Sequence, residues 1–397
     1  MNEAVIVDVI RTGSGKGKPG GALSGIHPVD LLATVLEATT RRSGLDPALV
    51  DDVIAGCVQQ VSEQSTNIAR QALLAAGFPE QVPGTTIDRQ CGSSQQAAAF
   101  AAQAIISGFH DVVIACGVES MSRVPMGTAP MGDDISGTRL HERYPAGLVH
   151  QGISAELIAA KWGFSRAQLD DYSARSHELA AAAAASGAFE AEIVGVEVTD
   201  AGGTGIRFAH DETVRAATTQ AGLAGLSPSF RSDALAERFP EIGWSITPGN
   251  SSPLTDGASA ALIMSAEKAK ALGLRPRARF VSFSVVGSDP LLMLTGPIPA
   301  TAQVLGCSGL SISDIDAFEV NEAFAPVPLA WLEDTGADPA RLNPRGGAIA
   351  LGHALGSSGT RLLATLVNEL EASGGRYGLQ TMCEGAGMAN ATVIERV

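Results

Sequence analysis

Along the chain, short runs of apolar β-branched residues alternate with longer stretches of helical periodicity. In the first part EAVIVDVIR, DDVIAGC, GTTIDRQ and DVVIACGV read as strands, and PVDLLATVLEATTRR, NIARQALLAAG and SSQQAAAFAAQAIISG read as the helices between them. Strand followed by helix, repeated, predicts a sheet with helices packed on it. The first helix sets Leu31, Leu32, Val35 and Leu36 on one face, with Pro28 in its first turn and Gly44 past its end.

The last ~125 residues run through a comparable series: ARFVSFSVVG, PATAQVLG, DIDAFEV, the segment around PVPLAWLEDTG, GTRLLATLVNELEASGG, YGLQTMCEG and NATVIERV. Superposing the two matches Asp52 with Asp316 (316 − 52 = 264), Cys91 with His353 (353 − 91 = 262) and Cys116 with Cys383 (383 − 116 = 267). Nearly constant offsets predict a duplicated α/β half. Residues 121–248 differ in texture, with more turns and polar positions and most of the tyrosines and tryptophans. They read as an inserted loop domain, where substrate contacts commonly sit. The expected division is 1–120 completed by 249–272 as the N-terminal half, 121–248 as the insert, and 273–397 as the C-terminal half.

Composition narrows the class. Charged residues form 17% of the 397 and glycines number 45, which predicts much covered surface and many tight turns, hence a homo-oligomer. A net charge of −15 argues against a nucleic-acid scaffold or a polybasic membrane anchor, so an anionic substrate would need a local basic patch. The opening segment MNEAVIVDVIRTGSGKGKPGG lacks the order of a signal peptide, and no apolar run approaches the ~20 residues of a membrane span, so a cytoplasmic protein is expected. Five widely spaced cysteines without C-x-x-C suggest neither a disulfide framework nor a zinc site.

Cys91, in IDRQCGSSQQAAAF, falls where a strand pattern stops and a helix pattern over 92–108 begins. There a thiolate would face unpaired amides and the positive end of the helix dipole, which predicts a lowered pKa and a nucleophile. A packing role is the alternative, but Gln90, Gly92, Ser93 and Ser94 offer little apolar packing. The matching junction of the second half, GGAIALGHALGSSG, carries His353; if the halves meet about a pseudo-twofold axis, His353 faces Cys91 as its base. Cys383, between GLQTM and the turn CEGAG, would be a second proton donor and acceptor. In EVNEAFA, Asn321 and Glu322 follow a buried strand, and a buried amide there suits an oxyanion.

The blocks DRQCGSSQQA, NEAFA, NPRGGAIALGHALGSSG and CEGAG, in this order and spacing, resemble the four signature blocks of the thiolase family. GVESMSRVP, RSHELAAAA and GNSSPLTDGASA match further family segments, so the resemblance covers essentially the whole chain. It implies a thiolase-like fold, two duplicated α/β halves in five layers (αβαβα) with an inserted loop domain. It also implies two-step acyl transfer through an acyl-Cys91 intermediate, with coenzyme A as co-substrate and no permanently bound cofactor or metal. His353 would activate Cys91, and Cys383 would exchange protons with the departing carbon and with the CoA thiol. One oxyanion pocket would use His353 and a water on Asn321, the other the backbone N–H groups of Cys91 and Gly385. CoA would lie across the insert by His150, Arg215 and Ser252, and Met293 and Phe324 would line the acyl site. Implied partners are acyl-CoA substrates, and the implied assembly is a dimer or a dimer of dimers. The chain departs from the common family pattern at Arg345, at Ala354 and Leu355, at Pro253, and at Leu294, where short-chain members often carry glycine.

The leading expectation is therefore degradative cleavage of 3-ketoacyl-CoA, as in β-oxidation, with biosynthetic condensation of acetyl-CoA as the runner-up. A decarboxylating ketoacyl synthase would be expected to lack Cys383. A non-catalytic acyl-CoA or lipid carrier would be expected to have lost the cysteine or histidine.

Overall fold

The computed structural model describes residues 2–199 and 203–397. The first half contributes β1 (Ala4–Thr12), α1 (Pro28–Ser43), β2 (Asp52–Gly56), α2 (Ile68–Ala75), β3 (Gly84–Ile87), α3 (Ser93–Ile106) and β4 (Val112–Ser120). After the insert, with α4 (Gln151–Trp162) and α5 (Arg166–Ala185), β5 (Thr255–Ser265) returns between β1 and β4. The second half follows as β6 (Ala278–Gly287), α6 (Pro297–Ser308), β7 (Ala317–Val320), α7 (Pro326–Thr335), α8 (Ser358–Ser373), β8 (Tyr377–Glu384) and β9 (Met388–Arg396).

The two halves carry the same ladders. β1–β5–β4 are antiparallel neighbours and β4–β2–β3 are parallel; correspondingly β6–β9–β8 are antiparallel and β8–β7 are parallel. The fifth strand of the second half shrinks to one parallel bridge, Phe318 to Leu342. Both halves bulge at the same place, between Ile6 and Asp8 on β1 and between Phe280 and Ser282 on β6. The sheets join where β1 pairs antiparallel with β6, Val5 opposite Arg279 and Ile6 opposite Ala278.

Register corrects the matches read from residue identity. The pairs Asp52–Val113 and Ala317–Gly378 are separated equally (113 − 52 = 61, 378 − 317 = 61), so β2 maps on β7 and β4 on β8 with an offset of 265. Asp316 is then the twin of Asp51, and each carboxylate accepts two backbone N–H groups at the start of the neighbouring strand. Cys116 corresponds to Thr381, and Cys383 to Val118. The motif Gly-Ser-Ser, at 92–94 and again at 356–358, sets Cys91 opposite Leu355, two residues after His353.

Three apolar bodies set five layers. α1 and α2 cover the outer face of the first sheet, and α6, α7 and the insert's α4 and α5 cover the outer face of the second. Between the sheets α3 and α8 lie together, their Ala97, Ala98, Ala101, Leu363 and Val367 packed with Ile6, Val9 and Ile394. Small residues make this middle layer thin: a Cβ on Gly359 would collide with the backbone of Gln95 on α3. The starts of both central helices are thereby held close.

Candidate active site

Cys91 sits one residue before Gly92, the N-cap of α3, and is buried. The turn that presents it is tight. Gln90 has a left-handed φ of 50°, its N–H is held by Asp88 Oδ1 at 2.6 Å, and its carbonyl accepts from Ser93 Oγ at 2.6 Å. A non-glycine residue held there is the kind of local strain found at functional turns. The thiol packs with Val58, Met121, Leu355 and Met382, so elements of both halves surround it.

His353 reaches the same region from a glycine turn. Gly352 has φ 85° and lies so close to Thr255 that a side chain would strike its hydroxyl; Thr255 Oγ1 in turn accepts the His353 N–H at 2.9 Å. The imidazole lies between Ser358 Oγ, 2.6 Å from Nδ1, and Asn321 Nδ2, 3.3 Å from Nε2. Ser358 Oγ donates to the Ala354 carbonyl at 2.9 Å, so its oxygen is left to accept from Nδ1–H, and the Nε2 lone pair points toward Asn321. Asn321 Oδ1 finds no partner among the described residues, which is the situation of an amide awaiting water or substrate.

Cys383 lies at the end of β8, fully buried, opposite Ala389, and shares an apolar cluster with Met293, Leu294 and Phe324. Burial raises its thiol well above the ordinary cysteine range, and charge on Cys91 is the next cause, so the two thiols are electrostatic neighbours. Gly385 follows, and a Cβ there would meet Gln90 Oε1 at 2.8 Å, which places the CEGAG turn against the turn that carries Cys91.

Electrostatics overturn one expectation. Instead of being lowered by the helix terminus, the Cys91 thiol is pushed up to about 12, first by burial and then by Glu384. His353 is held down at about 3 by burial and by the Arg361 charge. In the free protein the pair is a neutral thiol and a neutral imidazole.

The remaining candidates divide. Phe324 bridges to Ser251, and both the N–H and the Oγ of Ser252 donate to the Ala323 carbonyl at 3.0 Å, so Ser252 and Phe324 adjoin Asn321. His150 caps α4, Nδ1 accepting the Gly152 N–H at 3.1 Å, and its ring begins an aromatic row through Phe230 to Phe324, with centroids 5.4 and 6.1 Å apart. Arg215 stands elsewhere. It is paired with His177 and lines a groove of about 270 Å³ with Lys16, Lys18, Thr213, Pro253 and Leu254. Through Pro253 and Leu254 this groove runs on to Ser252 and Thr255. It supplies the local cationic patch that an acidic chain would need for an anion.

Several supporting residues were given no role by the sequence reading. Glu322 accepts from Tyr172, Ser176, Asn343 and the Ile349 N–H at 2.7 to 3.1 Å and so ties α5 of the insert to the turns carrying Asn321 and His353. Glu119 accepts from the Val58, Gln59 and Gly356 N–H groups and from Gln64. A signal for Ser358 was available in the repeated Gly-Ser-Ser; Tyr172 and Asn343 carried none. All five cysteines are free, and among the described residues no cluster of His, Cys, Asp or Glu could hold a metal ion. No helix among those residues is long and apolar enough to cross a membrane.

Comparison with known proteins shows the family and the fold. Residues 4–267 match the family description "Thiolase, N-terminal domain", and residues 274–396 match "Thiolase, C-terminal domain". The chain is 50% identical to the steroid 3-ketoacyl-CoA thiolase FadA6 of Mycobacterium tuberculosis, over 100% of this chain and 95% of that protein. It is 44% identical to the 3-ketoacyl-CoA thiolase of Serratia proteamaculans over the full length of both. The crystal structure of the Bacillus anthracis acetyl-CoA acetyltransferase superposes with a TM-score of 0.89 at 37% identity, covering 100% of this chain and 99% of that one.

Proposed function

The chain belongs to the thiolase family and is an acyltransferase that cleaves 3-ketoacyl-CoA with CoA; we propose how its residues share that work. Cys91 Sγ attacks the keto carbon while its proton passes to His353 Nε2. The Cα–Cβ bond then breaks, the departing acetyl-CoA carbanion takes a proton from Cys383, and the acyl group stays on Cys91. A second CoA thiol gives its proton to the Cys383 thiolate and attacks the acyl group. Cys91 leaves as the thiolate and recovers its proton from His353, so every proton is returned.

Because the resting pair is neutral, attack and proton transfer have to be concerted or closely coupled, and the lone pair that the Ser358 contact directs to Nε2 serves that transfer. Asn321, with its free Oδ1, holds a water beside His353 for the first oxyanion, and the Cys91 and Gly385 N–H groups hold the second. Each such donor is typically worth ~3 kcal/mol at the transition state. CoA lies along the insert with its phosphates at Lys16, Lys18 and Arg215, and its pantetheine passes Ser252 and His150 toward the thiols. Residues 121–248 thus act as the CoA-binding loop domain. Met293, Leu294, Phe324 and Phe230 face the acyl chain, and this bulk suits an acyl group larger than acetyl. The active assembly is a homodimer or a pair of dimers, at work in the cytoplasm.

The observation that supports the reading is that two buried thiols, from the start of α3 and the end of β8, are electrostatic neighbours, while His353, held by Ser358 and Asn321, stands two residues before Leu355, which packs on Cys91. Intact-protein mass after mixing with 3-ketoacyl-CoAs of increasing length, without free CoA, tests it. Wild type is expected to gain one acyl group, Cys91→Ser none, and Cys383→Ala a detectable adduct with impaired turnover. A carrier would bind the same ligands and show no adduct with any of them. Equal loss of acylation in both cysteine variants would overturn the division of roles.

A further inference from the structure

The matching strands of the two halves end alike, with Glu119 on β4 and Glu384 on β8 (384 − 119 = 265, the register offset), yet the carboxyls meet opposite surroundings. Glu119 faces four N–H donors, two on each oxygen, an environment for an acceptor-only carboxylate. Glu384 is fully buried, and neither of its oxygens has a hydrogen-bond partner among the described residues.

Glu384 Oε1 is the nearest atom to where a Cβ on Gly92 would stand, and around the same point are Asn390 Nδ2 and Oδ1, at 2.8 and 3.0 Å from that Cβ position. Asn390 Nδ2 donates to the Gly92 carbonyl at 3.1 Å, and its Oδ1 is a second buried acceptor without a partner. Two orphaned buried acceptors close to one point are costly, the more so if one is charged. A proton on Glu384, donated to Asn390 Oδ1, gives both a partner at once. The same bond would brace Asn390, which holds the backbone next to Cys91. The charged and titratable groups facing Glu384 are Arg89, Asp88 and Cys91, with Cys383 its neighbour on the strand; Arg89 favours ionisation and the other charges oppose it.

We propose that Glu384 is a positioning residue that keeps its proton through the reaction, so that the thiolates formed on Cys91 and Cys383 have no second anion beside them, and that losing this proton in alkali turns the site down. This rests on Cys91 being the nucleophile. Burial raises the Glu384 carboxyl to about 8, in keeping with a group neutral at neutral pH.

Two measurements on the full-length enzyme and its Glu384→Gln variant test it. The infrared difference between them at neutral pH is expected to show the carbonyl stretch of a protonated carboxylic acid, present only in wild type and shifted in D2O. The ratio of variant to wild-type rates of Cys91 alkylation by iodoacetamide is expected to rise about tenfold between about pH 7 and about pH 9.5, because glutamine cannot acquire the neighbouring charge. Absence of the band, or a ratio independent of pH, overturns the proposal. If Cys91 were not the nucleophile, the acyl adduct would fail while the carboxylic-acid band persisted, so the two failures are distinguishable.

Discussion

The buried histidines fix how this protein answers to acid. His353 is held near 3 by burial and Arg361, and His177 near 4 by burial and Arg215, both below the ~6.5 of an unfolded chain. A depressed pKa means that the folded state binds fewer protons than the unfolded state as pH drops below ~6.5. The histidines' contribution to stability is therefore whole above that value and declines as pH falls from there toward 4, while the raised carboxyls of Glu319 and Glu384, at about 8, take up protons first in the folded state and act in the opposite sense. Urea midpoints measured at pH steps across that window should show a His177→Gln variant gaining on wild type as pH falls, a difference from which the carboxyls common to both cancel; parallel curves would remove His177 from the account. At His353 the serine contact matters as well as burial. Ser358→Ala removes the acceptor for Nδ1–H and frees the tautomer, and we expect acylation to slow by roughly tenfold or more, a fraction of the 10²–10⁴ typical of a general base, with CoA binding kept. Acylation at the wild-type rate would show that the tautomer needs no such lock.

At the scale of elements, close approach is what brings the two junctions together. A Cβ on Gly117 of β4 would collide with the Gly356 carbonyl, and one on Gly56 of β2 with the Ser94 amide. Gly117→Ala should therefore cost about 1–3 kcal/mol as overpacking and also depress acyl-adduct formation, since its shift is passed to the loop after His353. Denaturant unfolding and adduct mass would read the two effects, and a stable variant with a full adduct would show the approach to be slack. The alternation of strands and central helices was plain in the sequence because apolar periodicity reports local structure. The thiols and histidine of the proposed site were legible through the family motifs. Register was not, since equal residue types at 116 and 383 outweighed a two-residue slip that only ladder pairing reveals. The cysteine's pKa was misread for a related reason. A helix terminus can be seen in a sequence, but the burial that outweighs it comes from Leu355 and Met382, more than 200 residues away.

Across the whole molecule the insert is fastened to the body by buried charge. Arg11 on β1 bonds Glu192 at 2.6 Å and Asp211 at 2.7 and 3.0 Å, all three side chains almost wholly buried, while its guanidinium lies 5.0 Å from the Phe189 ring centroid. Burial disfavours the Arg11 charge, but its two carboxylates outweigh burial and raise its pKa. Glu192 and Asp211 flank the stretch that leads to Arg215 and its groove, so this cluster and the Glu322 hub hold the insert at both ends of the proposed CoA path. Removing the cation while leaving the anions is the costly change, about 3–5 kcal/mol for a buried pair. Arg11→Met should accordingly destabilise the protein strongly near pH 7.5. The deficit relative to wild type should narrow toward pH 5, where the abandoned carboxylates can take up protons; the histidine losses, common to both proteins, cancel in the difference. At a urea concentration where both remain folded, the variant's KM for CoA should rise more than its yield of acyl-Cys91 falls, because the groove loosens while the two junctions stay braced by α3 and α8. A gap that does not change with pH would mean that Arg11 serves through packing on Phe189 alone. An equal loss of acylation and CoA affinity would mean that insert and body act as one unit rather than as a clamp on a rigid core.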